Sequence, residues 1–185
     1  VLSGLKKYPF QLTAIVSVTD SGGSTGRLRT EFGFLPVGDM RQCLAALAKD
    51  KGIVKKLLLY RFSRGEGLTG HNLGNLILTA LTDITGSEAK AVEVAAQTFR
   101  LKGEIIPITT KNIQLKAVYE DGEVIIGEHK IDEPFHKGGK KIVSLTTVPQ
   151  AEIYYKAKKA IEKADLIILG PGDLYTSIFP NLVIK

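Results

Sequence analysis

The 185-residue chain has 44% hydrophobic residues, one cysteine and a net charge of +6, which is enough apolar content for a buried core and too much for a disordered chain. Its lysines scatter through helix-like segments (Lys6, Lys7, Lys55, Lys56, Lys156, Lys158, Lys159) with no interleaved aromatics, the pattern of a solvated surface and not of a nucleic-acid platform. No apolar run approaches the ~20 residues of a membrane span, and one cysteine permits neither an intrachain disulfide nor a CxxC zinc site. No nucleic-acid or membrane partner is therefore expected, and the cytoplasm is the default location.

In chain order, "VLSGLKKY" reads as the end of a helix, and Val1 is not a start methionine. "PNLVIK" at the other end is an apolar tail without a termination signal, so both ends are expected to be cut. Residues 12 to 18, 104 to 109, 142 to 147 and 165 to 169 are short apolar runs rich in β-branched residues, suited to strands covered on both faces. Residues 39 to 49, 53 to 62, 72 to 85, 87 to 100 and 151 to 164 have helical spacing, with Asp39 and Ser87 as expected caps. In the first of these, Met40, Cys43, Leu44 and Leu47 form one stripe, which predicts a core role for the cysteine. Strands covered on both faces and alternating with helices predict a three-layer α/β fold with a mostly parallel sheet and right-handed crossovers, in one domain.

Residues 112 to 131 break the pattern. "NIQLKAVYEDGEVIIGEHKI" alternates apolar and polar residues around Asp121-Gly122, a strong hairpin signal. It is expected to form a β-hairpin flap outside the main sheet, followed by a mobile polar loop, "DEPFHKGGKK".

Three glycine-containing loops carry the chemistry. "TDSGGSTGRLR" (19 to 29) follows the first strand, "GEGLTGHNLGN" (65 to 75) leads into a helix, and "GPGDLYTS" (170 to 177) follows "DLIIL". Ligands of open parallel sheets sit beyond the carboxyl ends of strands, where glycine admits close backbone approach and helix N-termini attract anions. The loops are expected to share one pocket. Its binding set would be Ser21, Gly22, Gly23, Ser24, Arg27, Arg41, His71, Asn72, Gly74, Asn75, Gly170, Gly172, Tyr175, Thr176 and Ser177, with Thr25 and Arg29 beside them. Arginine among hydroxyls and amides suits phosphate oxygens. Asp20 and Asp39 stand near these donors and can hold Mg²⁺, which takes one or two carboxylates and keeps several waters. Asp173 is the third nearby acid. His71, among small polar residues, is expected to be exposed and is the candidate general acid or base. No redox cofactor is expected.

The motifs "TDSGGSTGRLR", "GDMRQCL", "GEGLTGHNLGNL" and "GPGDLYTSIFPNL", in this order, resemble the bacterial gluconeogenesis-factor family, related to the phospholactate transferases of deazaflavin-cofactor synthesis. The resemblance covers nearly the whole chain. It implies a Rossmann-like fold and a nucleotide ligand, a UDP-sugar for a binding regulator or a guanosine diphosphate-linked phospholactate for an enzyme. It also implies that Asp20 and Asp39 take the place of metal-binding acids. Ser21 stands where the transferases have a second acid, Gln42 replaces a usual Asn, and the family's "GGGTG"-type loop falls ahead of Val1. The expected reading is a regulator of gluconeogenic growth and cell shape, and the alternative is a transferase with a flavin-like acceptor. A homo-oligomer, in the form of a dimer, is expected.

Overall fold

The structure, a computed structural model, describes residues 1–49, 52–132 and 140–185. A short helix α1 (Leu2–Leu5) precedes β1 (Thr13–Val16), and α2 (Gly23–Phe32), α3 (Gly38–Leu47), α4 (Ile53–Leu59), α5 (Leu73–Thr85) and α6 (Glu88–Thr98) follow. Then come β2 (Glu104–Pro107), β3 (Gln114–Tyr119), β4 (Val124–Ile126), α7 (Glu128–Asp132), β5 (Ile142–Val148), α8 (Tyr155–Glu162), a π-helical turn (Leu174–Ile178) and α9 (Phe179–Leu182).

β1 and β2 pair in parallel, Thr13 opposite Glu104 and Val16 opposite Pro107. Their residues alternate between two apolar layers because helices cover both faces. On one side Val16, Val18 and Ile105 join Met40, Leu44, Leu47, Leu58, Leu78 and Val92. On the other, Ile106 and Ile108 pack with Ala157 of α8, and Ile15 leans on the same cluster. The three-layer α/β arrangement read from the sequence is thus present. Met40, Leu44 and Leu47 are fully buried, and Cys43 packs beside them half-buried, its thiol pushed up to about 11 by burial and then by Asp39.

Residues 112 to 131 do form an antiparallel hairpin outside the parallel pair. β3 and β4 meet around Asp121-Gly122, where the Asp121 carboxylate accepts the Glu123 N–H at 3.1 Å. One face is apolar, with Leu115, Ala117, Tyr119, Ile125 and Ile131 of α7 clustered beneath it. Of the polar loop expected next, residues 133 to 139 lie outside the described residues.

Two strand assignments need correction. Residues 142 to 148 are a strand, but it is the third member of this antiparallel sheet, Thr147 opposite Leu115 and Leu145 opposite Ala117. A β-branched run cannot by itself distinguish a strand buried on two faces from an edge strand. Residues 165 to 169 form no strand and are exposed, Leu166 at 76% and Leu169 at 67%. No described strand pairs with them, and a strand without a hydrogen-bonding neighbour has nothing to hold it extended. Asp39 is likewise no cap: α3 starts at Gly38 with Val37 as N-cap, which puts Asp39 inside the first turn. Ser87 is the cap expected, accepting the Lys90 N–H. The predicted helix over 53 to 62 stops at Leu59, because Tyr60 to Phe62 run antiparallel to His71 to Leu73. Lys6 is not on the solvated face: it is buried and its ammonium bonds the Ala48 carbonyl.

Leu44 has no exposed surface and sits where α3 faces the parallel pair. Leu44→Ala should cost ~2–5 kcal/mol of unfolding free energy, read as a lowered urea midpoint at unchanged slope.

Candidate functional site

The first glycine loop turns directly into α2. No side chain caps the first turn of that helix, so the amides that follow the Gly22 N-cap are not taken up by a side chain. Asp20 accepts the Gly22 N–H at 3.0 Å just ahead of it. The other two loops end differently. Asn72 caps α5, its side-chain oxygen accepting from Gly74 N (2.8 Å) and Asn75 N (3.3 Å). Asp173 caps the π-helical turn in the same way, accepting from Tyr175 N and Thr176 N. Of the three loops, only the first leaves a helix start open to an anion.

The second loop supports the first. The Asn75 side chain accepts from Arg41 Nε at 2.9 Å and donates to Ser24 Oγ and Thr25 Oγ1 at 3.4 and 3.3 Å. Arg41 also donates to the Leu58 carbonyl, and all four side chains are buried. The Arg41 stem lies flat on α5 only because residue 74 is glycine: a Cβ there would stand 2.8 Å from Arg41 Cγ and 2.6 Å from the Leu58 oxygen. Ser24 Oγ accepts from Asn72 N as well and lies 3.2 Å from His71 Nδ1. With its lone pairs engaged by the Asn72 and Asn75 N–H groups, the Ser24 hydroxyl has its hydrogen left to offer to Nδ1. His71 is buried rather than exposed as the sequence suggested. Small flanking residues signal close packing as readily as solvent access.

The third loop reaches the first through Thr19, whose hydroxyl approaches the Thr176 carbonyl at 3.5 Å and the Ser17 hydroxyl at 2.8 Å. Thr176 is buried, whereas Gly170, Gly172 and Tyr175 are exposed and Ser177 is half-buried. The loops are therefore neighbours. Among the described residues, a cavity of about 320 Å³ runs beside β2 between Glu93, Arg100, Leu101 and Tyr154, apart from the loops.

Arg27 is exposed and donates to the Thr69 carbonyl at 3.3 Å. Arg29 turns the other way, to Asn112 Oδ1 (2.5 Å) and the Ile113 carbonyl (2.7 Å), tying the end of α2 to the start of the hairpin.

Acids crowd the open helix start. Asp20 Oδ2 rests against Gly38, where a Cβ would come within 2.3 Å of it and 2.6 Å of Thr25 Oγ1. The Asp39 carboxyl is pushed up to about 6 by burial first and by Asp20 second, Arg41 opposing. A third acid was not legible in the sequence. Glu128, from the helix behind the hairpin, accepts from Ser21 N (3.2 Å) and Ser21 Oγ (3.4 Å), and the His129 N–H donates to Ser21 Oγ at 3.0 Å. Burial raises the Glu128 carboxyl above its ordinary range; the Ser21 amide opposes this, and Asp20 adds to it. No spacing pattern links residues 21 and 128, so only the chain's path could bring them together. Gly38, ahead of Asp39, is a local signal in the sequence of the tight approach to Asp20.

Comparison with known proteins gives the family. The model of the CofD family, 2-phospho-L-lactate transferase CofD, matches residues 1–185. The chain belongs to this family. Within it, the chain is 48% identical to a putative gluconeogenesis factor of Nostoc over 186 residues, all of this chain and 40% of that protein. It is 44% identical to the gluconeogenesis factor of Bacillus subtilis, covering all of this chain and 57% of that one. A Bacillus halodurans crystal structure, described as a member of the UPF0052 family, superposes with a TM-score of 0.91 at 41% identity over 99% of this chain and 58% of that one. The chain thus spans about half the length of the curated CofD-family relatives it matches. Among the described residues no helix is long and apolar enough to cross a membrane.

A carboxyl whose ionisation is opposed in the folded protein favours folding below its unfolded pKa and loses that advantage as pH rises through its folded value. For Asp39 the window runs from about 4 to about 6. Asp39→Asn should therefore stabilise the metal-free protein at pH 8 by up to about 2–3 kcal/mol and change little at pH 4, measured by urea unfolding at both. Gly38→Ala should cost ~1–3 kcal/mol, since either Asp20 or the start of α3 must move, and the same titration reads it.

Proposed function

We propose that the chain binds a nucleotide or nucleotide-sugar of the UDP-sugar type, its phosphates at the start of α2. In this reading it serves in the cytoplasm as a regulator supporting gluconeogenic growth and cell shape. The observation that carries it is the uncapped first turn of α2 beside two loops whose own helix starts are capped. Arg27, exposed at the rim, supplies the planar fork that matches phosphate oxygens. Gluconeogenesis factor is the name carried by relatives at 41–48% identity.

A Mg²⁺ ion fits the same place. Among the described residues no three His, Cys or acidic side chains gather as a metal cage, but Mg²⁺ needs only one or two carboxylates plus phosphate and water. Asp20 and Asp39 would hold it, and the penalty on ionising Asp39 beside Asp20 is what a cation would remove. When bound, the ion would neutralise diphosphate charge. The CofD family model is described as a phospholactate transferase, which supports a second reading as an enzyme; the resemblance of the motifs then implies a phospho-group passing from a nucleoside diphosphate-linked donor to a flavin-like acceptor. There Ser24 and Arg27 would orient the donor, and the buried His71 would act on it only through the Ser24 hydroxyl it contacts.

Arg27→Ala should weaken UDP binding roughly 10- to 150-fold, the loss of a charge-assisted bond of ~1.5–3 kcal/mol. Asp20→Asn should weaken it only when Mg²⁺ is present. Calorimetric titration of both variants with and without Mg²⁺ checks this, and an equal loss for Asp20→Asn in both conditions removes the metal from the proposal. Thermal shifts with UDP-sugars against GDP plus Mg²⁺ separate regulator from transferase.

A further inference from the structure

The helix behind the hairpin enters the first glycine loop as a competitor. Ser21 offers two donors, its amide and its hydroxyl, and both meet the same oxygen, Glu128 Oε2. The hydroxyl in turn accepts the His129 amide. Glu128 is not a loose surface group. Ile131, three residues on, is buried under the antiparallel sheet with Leu115 and Ile125, and the Gly127 amide bonds the Leu115 carbonyl at 2.8 Å. The contact therefore joins the first loop to the whole antiparallel sheet through a few firmly held residues.

A carboxylate on these donors is an anion where the loop is built to receive one. It stands in the company of Asp20, which already takes the Gly22 amide, so an incoming phosphate meets negative charge on the amides of residues 21 and 22. We propose that Glu128 is a built-in stand-in for the ligand's phosphate, displaced from Ser21 when the ligand binds, so that occupancy of the loop releases α7 and loosens the antiparallel sheet. This deepens the phosphate reading above and rests on it. A carboxylate and a phosphate share the same demand for N–H and O–H donors, and Ser21 cannot satisfy both at one oxygen's distance.

The test uses the full chain, with UDP and inorganic pyrophosphate as probes. Glu128→Ala removes the competitor, and Glu128→Gln keeps its shape and a weaker acceptor; circular dichroism confirms that both fold. Glu128→Ala should bind both probes about 5-fold tighter or more, the factor that a competing hydrogen bond of ordinary strength imposes, with Glu128→Gln between it and the parent. In hydrogen exchange, UDP should speed the amides of residues 124 to 132 in the parent. In Glu128→Ala they should exchange fast already and not respond. Weaker or unchanged binding by both variants overturns the displacement, as does slowing of residues 124 to 132 by UDP, since Glu128 and ligand would then hold the loop together. Tightening for UDP but not pyrophosphate overturns it too, because the conflict would lie with the nucleoside. If neither probe binds any of the three proteins, the phosphate reading itself fails and the displacement falls with it.

Discussion

The Asn75 side chain is the joint on which the first two glycine loops depend. One amide group takes the Arg41 guanidinium of α3 on its oxygen and gives its hydrogens to Ser24 and Thr25 of α2, while sitting in the first turn of α5. Three helices are fixed by one planar group. Burial makes the arrangement exacting: every partner is out of solvent, so any mismatch would leave a charged or polar group without a hydrogen bond. The close approach of α3 to α5 that brings Arg41 into range is granted by Gly74, which has no Cβ to place between them.

That framework holds a strained electrostatic arrangement at its edge. α2 presents its positive end without a side-chain cap, with Asp20 and Glu128 on the amides just ahead of it and Asp39 of α3 near enough to both to be felt electrostatically. Burial, and then the neighbouring Asp20, opposes the ionisation of Asp39, and burial with Asp20 likewise raises Glu128 against the Ser21 amide. Such a site gains from either a cation or a rearrangement of one acid, and the two are not exclusive.

α2 also carries the connection between the two sheets. At its end Arg29 grips Asn112 and Ile113, where the hairpin begins, and ahead of its start Ser21 is held by Glu128 and His129, where the hairpin is over. One ten-residue helix is thus fastened at both ends to an element that packs over its own separate apolar cluster. Events at the loop have a short mechanical route to the antiparallel sheet, and this follows from the chain's path, not from any motif.

The sequence by itself determined the α/β class, the hairpin at Asp121-Gly122, the buried stripe of Met40, Leu44 and Leu47, and the three glycine loops. These are local matters: period, turn chemistry and residue type act over a few positions. Four long motifs in order also identified the family. Tertiary structure alone decided which helix start stays open, because Asn72 and Asp173 look no more like caps in the sequence than Asp39, which caps nothing. It decided that His71 is buried, that residues 142 to 148 join the antiparallel sheet and that 165 to 169 remain exposed, since a strand's place depends on which edges are left for it. It brought Glu128 to Ser21 across 107 positions. Burial and long-range hydrogen bonding depend on what the folded chain places alongside a residue, and no window along the sequence contains that.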